Sequence, residues 1–172
     1  MNLQSNDFEL FGLEPRFRQD RVALDTCWKD LQRQAHPDKF AAQGAAAQRI
    51  AMQWSVRINE AYQRLKDPLK RAAYLCELHG APVNAENNTA MPGAFLMQQM
   101  EWREELDDAS SAQDLEKISA ECLQVKRKVL QDIEQLLDQA LDYAAAVAQV
   151  RALMFVERFA ADVDARLDQI ES

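Results

Sequence analysis

From Leu24 to Ile170 the apolar residues of this chain recur at intervals of three and four, without the apolar–polar alternation of strands. At about 3.6 residues per turn, that spacing gathers them on one face of an α-helix. Turn formers are scarce, with four glycines and five prolines in 172 residues, so the helices must be long. The fold class expected is all-α.

The stripes can be placed. "NDFELFGL" holds a short apolar segment of one or two turns. Asp20 is a good N-cap for a helix whose stripe is Leu24, Cys27, Trp28, Leu31 and Ala35. A second long helix runs from about Ala45 to Lys66, with Ile50, Trp54, Ile58, Ala61 and Leu65 inward. Asp67 caps a third, Pro68 takes its first position and Gly80 ends it. Two long helices joined by a short break must run antiparallel to bury facing stripes. Beyond residue 93, "GAFLMQQMEWREELDDA" is a shorter helix. Two longer ones follow, striped Leu115, Ile118, Cys122, Val125, Val129, Ile133, Leu136 and Leu153, Val156, Ala160, Val163, Leu167, Ile170. Together they predict a three-helix bundle over residues 94–172.

Charge divides the chain at the same place. Residues 1–80 carry 12 Lys/Arg against 10 Asp/Glu, a formal +2, and residues 81–172 carry 8 against 18, a formal −10. An acidic second half argues against nucleic acid or an anionic membrane as its partner, since both repel negative charge. Between the halves, "HGAPVNAENNTAMPGA" collects Gly80, Pro82, Pro92, Gly93 and three asparagines. That is linker chemistry, and the expected boundary is a linker at 81–93. Cys27, Cys76 and Cys122 are odd in number and widely spaced, which excludes a disulfide framework or a zinc knuckle. Each falls in an apolar stripe, as a buried reduced thiol does. With no secretory leader pattern and no apolar run long enough to span a bilayer, a soluble, cytoplasmic protein is expected.

One feature is out of character. In "LQRQAHPDKFA" the helix stops at His36-Pro37-Asp38 and helical pattern resumes after it, so the tripeptide sits at the exposed tip of a helical hairpin. A metal site needs three or four ligands, and His79, the other histidine, is far along the chain. A catalytic His–Asp pair needs a nucleophile and a concave pocket, neither of which a hairpin tip offers. A recognition loop needs only exposure and rigidity. Proline fixes its own φ and holds His36 extended, which presents the ring and the Asp38 carboxylate at a defined place. The plain alternative is that Pro37 merely stops one helix and Asp38 caps the next. On the residues alone the two readings stand level.

The helix after the linker has two apolar sides. Phe95, Gln99, Trp102 and Leu106 share one, a reasonable core stripe; Leu96, Met97, Met100, Glu101, Glu104 and Asp108 share the other. A helix of a small bundle needs one apolar face. A second face of Leu and Met ringed by carboxylates suits an adaptable partner site, unless both faces pack. Phe155 adds to it, lying about 110° round its helix from the Leu153–Leu167 stripe at about 100° per residue.

The tripeptide between two antiparallel helices, followed by "INEAYQRLKDPLKRAAYL", resembles the J-domain of DnaJ-type co-chaperones. Ala61, Tyr62, Leu65, Asp67, Pro68, Arg71 and Tyr74 occupy that family's positions, over residues 7 to about 78. "FELFGL", "LQRQAHPDKF" and "AFLMQQMEWREELDDA" extend the likeness to the HscB family, J-type co-chaperones of iron–sulfur cluster assembly, over nearly the whole chain. One departure is Ala35, where J-domains usually carry Tyr; looser packing under the loop is expected there.

The resemblance implies an ATPase activator and adaptor, not an enzyme, with no metal and no cofactor of its own. Residues 1–80 would be a J-domain in which His36, Pro37 and Asp38 contact an HscA/DnaK-type chaperone and stimulate its ATP hydrolysis. Lys29 and Arg33, one helical turn apart, would meet an acidic surface on that ATPase. Residues 94–172 would bind the scaffold protein IscU through Leu96, Met97, Met100, Glu101, Glu104, Asp108 and Phe155. A J-protein serving a different client is the alternative.

Overall fold

The structure, a computed structural model, describes residues 2–85 and 90–172. Seven α-helices occur among them: α1 Asp7–Phe11, α2 Arg21–Ala35, α3 Ala45–Lys66, α4 Pro68–Leu78, α5 Gly93–Asp108, α6 Ala112–Glu134 and α7 Tyr143–Glu171. A 3-10 segment, Pro37–Gln43, joins α2 to α3, and a π-helical turn, Gln135–Ala140, ends α6. No strand occurs among the described residues, and none of the helices is long and apolar enough to cross a membrane. Two compact units result, Met1–Leu75 and Cys76–Ser172, with α4 running across the division. Of the predicted linker, residues 86–89, including Asn87 and Asn88, lie outside the described residues.

The first unit is a helical hairpin with α1 laid across it. Asn6 starts α1 with a capping box: its Oδ1 accepts from the Glu9 N–H at 2.8 Å while the Glu9 carboxylate accepts from the Asn6 N–H. Asp20 caps α2, accepting from the Val22 and Ala23 N–H groups. The α2–α3 pairings run in opposite senses along the two helices, as an antiparallel pair requires. Tyr62 donates to Asp25 at 2.6 Å, Trp28 to Asn59 at 2.9 Å and Ser55 to Gln32 at 2.8 Å. Trp28 also stacks on Tyr62 with centroids 4.5 Å apart. The Tyr62 hydroxyl, then the Arg21 guanidinium, hold the Asp25 carboxyl below the usual carboxylate range. Leu24, Ile58, Ala61 and Leu65 close the core.

Asp7 fixes α1 to this hairpin. Its carboxylate is fully buried and takes a bidentate pair from Arg64 at 2.6 and 3.0 Å and a third contact from Arg57 at 2.8 Å. Its backbone N–H donates to the Tyr74 hydroxyl at 3.1 Å, which ties α4 into the same cluster. A buried charge is tolerable only with such partners, and removing one partner from a buried pair costs about 3–5 kcal/mol.

The second unit packs α5, α6 and α7 round Phe95, Trp102, Leu115, Ile118, Cys122, Val156, Phe159 and Val163. Trp102 is fully buried and stacks on Phe159 at 5.1 Å. Arg151, also buried, donates to the Val83 carbonyl through Nε and Nη2 and to the Ala90 carbonyl through Nη1, so it grips the chain on both sides of residues 86–89. Arg166 donates to the carbonyls of Leu106 and Ala109, supplying the end of α5 with the partners that helix C-termini lack.

Four expectations need correction. Ile50, expected inward on α3, is 55% exposed, because the first turns of α3 border an open groove rather than the core. Leu137, not Leu136, continues the buried stripe of α6, four residues beyond Ile133, and Leu136 beside it is half-buried. Cys76 and Cys122 are buried thiols, each raised to about 11 by that burial, whereas Cys27 is only half-buried and donates to the Phe11 carbonyl at 3.2 Å. At the far end of α7, Ile170 is exposed rather than inward, because the last turn runs past the cover of its neighbours.

Candidate partner-docking sites

His36 ends α2 as the rule for a residue before proline demands. Its φ, ψ of −62°, 128° are extended, not helical. Pro37 then takes the first position of the 3-10 segment, where its missing N–H costs nothing. The segment closes at Gly44, whose φ of +98° with ψ 170° lies in a region kept for glycine, and α3 starts at once. The tripeptide is thus pinned between two helix ends.

Within it, the Asp38 N–H donates to His36 Nδ1 at 3.2 Å, and the Lys39 N–H to the His36 carbonyl at 3.0 Å. The first bond commits the Nδ1 lone pair and so puts the proton of the neutral ring on Nε2. The Asp38 carboxylate stands 3.6 Å from the same Nδ1, where it would pair only with a protonated ring. Both side chains face water, His36 at 57% and Asp38 at 92% exposure. Among the described residues no group of three His, Cys, Asp or Glu side chains is placed to hold a metal ion. The arrangement can present a fixed donor and a fixed carboxylate to another surface.

Lys29 and Arg33 are exposed on α2 leading to the turn. Arg33 pairs with Asp30 at 3.4 Å in full solvent, a contact worth little, so its charge stays available. Ala35 forms part of the wall of an apolar groove of about 500 Å³ under the turn. Next in sequence to the lining residues Phe40 and Ile50 are two exposed cations that the sequence reading passed over, Lys39 and Arg49. The signal was available: they flank Phe40 and Ile50, the apolar residues on either side of the break.

In the second unit α5 turns Phe95 and Trp102 inward and leaves Leu96, Met97 and Met100 exposed at 52%, 67% and 66%. Glu101, Glu104 and Asp108 flank them, all exposed. The structure therefore brings six of the seven expected residues onto one open ridge. Phe155 is placed differently. It is half-buried, with its ring 5.8 Å from Phe95, 6.4 Å from Trp102 and 5.9 Å from Phe159. It reaches the surface in a hollow of about 380 Å³ shared with Arg103, Leu106, Asp107 and Arg158. Arg103 was also passed over, although its spacing of seven from Leu96 and three from Met100 places it on the flank of the ridge.

Known proteins resemble this chain along nearly its whole length. Residues 91–164 match the model of the HscB C-terminal oligomerisation domain. The chain is 50% identical over 175 residues to a co-chaperone protein HscB homolog of Burkholderia multivorans, covering all of this chain and 99% of the relative. To the homolog of Burkholderia mallei it is 51% identical over 174 residues, covering 99% of each. Among solved structures, chaperone HscB from Vibrio cholerae superposes with a TM-score of 0.83 at 36% identity, over 96% of this chain and 99% of that one. The crystal structure of human co-chaperone protein HscB gives 0.84 at 24% identity, over 98% and 83%, a likeness of fold. With relatives of half-identical sequence matched end to end, the chain belongs to the HscB family of co-chaperones.

Proposed function

We propose that this co-chaperone acts in iron–sulfur cluster assembly by binding an IscU-type scaffold and delivering it to an HscA/DnaK-type chaperone, whose ATPase it stimulates. Residues 1–80 are the J-domain that engages the ATPase, 81–93 the linker and 94–172 the scaffold-binding domain. The observation that carries the reading is the rigid, exposed His36-Pro37-Asp38 turn between two antiparallel helices. Lys29 and Arg33 add attraction for an acidic surface. Leu96, Met97 and Met100, with Glu101, Glu104, Asp108 and the edge of Phe155, receive the scaffold. Holding client and ATPase on one chain raises the effective concentration of each for the other. No step calls for a metal or nucleotide on this protein; its work is adaptor work. The test is the steady-state ATPase rate of a purified HscA-type chaperone with wild type or His36→Gln, each with and without scaffold. Stimulation that needs His36 and rises with scaffold supports the whole reading. Stimulation indifferent to scaffold keeps the ATPase partner and removes the client. No stimulation removes both.

A second reading is favoured by the description of the matched domain model, which names oligomerisation. We infer that the second unit also takes part in self-association, the exposed ridge of α5 being its open apolar surface.

A further inference from the structure

The groove under the His36-Pro37-Asp38 turn and the ridge of α5 are opposites in form and charge. The groove is concave and lined almost wholly by apolar side chains, Leu31, Ala35, Phe40, Ile50 and Trp54 among them. Ile50 stands 55% exposed on its wall, uncovered by the chain's own core. Its polar lining is Gln34 and Gln43, whose side-chain amides make no hydrogen bond among the described residues. Lys39 and Arg49, next in sequence to lining residues, are cations without an ion pair among the described residues. The ridge is convex, with Leu96, Met97 and Met100 outward and Glu101 and Glu104 beside them, without an ion pair among the described residues.

An apolar hollow with basic neighbours thus faces solvent in one unit, and an apolar ridge with acidic neighbours in the other. Charge sums reinforce the match, +2 for residues 1–80 against −10 for 81–172. We propose that the groove of one molecule receives the α5 ridge of a second copy. This inference rests on the self-association reading above and names the surface that completes it. An exchange in which each copy gives its ridge and receives the other's makes two identical contacts, the arrangement that stops at a dimer, and sedimentation distinguishes it from an open chain of contacts. The dimer is a resting form: it covers the scaffold-binding ridge and crowds the His36 turn. Chaperone and scaffold must each displace it, which suppresses idle stimulation of the ATPase when the client is absent. The contact joins few side chains, so it is transient, and its charge component weakens with salt.

Sedimentation velocity on the full chain tests it, over a dilution series at low and high salt. Ile50→Glu places a carboxylate at the groove and Met97→Glu places one on the ridge. Both positions are exposed, and unchanged melting curves verify the folds. The expected result is a concentration-dependent dimer, at least tenfold weaker in either variant alone and weaker at high salt. Mixing the two variants restores part of the association, because the intact ridge of one meets the intact groove of the other. A dimer indifferent to Ile50→Glu overturns the proposal while leaving self-association standing. A monomer at every concentration overturns both.

Discussion

The two candidate surfaces of this chain are built on opposite principles. The His36-Pro37-Asp38 turn is a polar point whose shape is set by backbone: an extended residue forced by proline, a 3-10 segment, and a glycine that lets α3 begin. The α5 ridge is an apolar area set by side chains, two flexible methionines and a leucine on a helix whose other face holds the core. A point can be ruined by one atom and still leave the fold intact. An area is ruined only by a change of polarity or volume, and Met tolerates re-packing.

The largest effect belongs to the turn. His36→Gln keeps a side chain able to hydrogen-bond but loses the ring geometry, and Asp38→Asn keeps shape but loses charge. Each is expected to abolish ATPase stimulation at saturating co-chaperone. Both residues are exposed, so unfolding free energy should change by no more than about 0.5 kcal/mol. A urea titration beside the ATPase assay checks both halves. Partial stimulation by both variants would mean that the turn acts as an area after all.

Next comes the ridge. Met97→Leu and Met100→Leu should bind scaffold within about threefold of wild type, since volume-conserving apolar swaps cost little. Met97→Glu should lose at least about tenfold, because burying a methionine is worth about 1.5–3 kcal/mol and an unpaired carboxylate does not replace it. Isothermal titration with the scaffold reads both. A large loss in the leucine variants would show the ridge to be as exacting as the turn.

Phe155 sharpens the contrast because it belongs to both packing and surface. Against Phe95, Trp102 and Phe159 its truncation to alanine should destabilise the second unit, by up to about 3–5 kcal/mol if the ring's loss leaves a cavity. Scaffold affinity should fall as well, and Phe155→Leu should recover affinity more fully than stability. Equal recovery of the two would reduce Phe155 to a core residue.

Much of this was legible in the sequence. Helix stripes, the Asp20 and Asp67 caps and the arrest at Pro37 are local consequences of residue type, and local rules suffice for them. Leu137 was missed because a stripe recurring every three or four residues admits both Leu136 and Leu137 after Ile133, and only tertiary packing decides between them. Phe155 looked like a free face because its angle on α7 is visible in sequence, whereas the presence of Phe95 beside it is tertiary. The groove under the turn depends on what Ala35 fails to fill. The sequence shows the small residue but not the space.

The smallest effect separates attraction from action within the first unit. Lys29 and Arg33 are exposed, and at about 4 Å in water a charge pair is worth about 1 kcal/mol, screened within about 10 Å at 0.1 M salt. Replacing both by alanine should therefore raise the co-chaperone concentration needed for half-maximal stimulation by about three- to tenfold at low salt, through slower association. The maximal stimulated rate should stay where it is, and the deficit should shrink as salt is added. His36→Gln predicts the reverse pattern, a lost maximum that no concentration restores. Measuring stimulation against co-chaperone concentration at two salt levels distinguishes them. If the Lys29/Arg33 variant also lowers the maximum, the helix and the turn act as one unit, and the division between a guiding charge and an acting point fails. A purely salt-sensitive shift instead confines the action to three residues held still by the end of one helix and the start of the next.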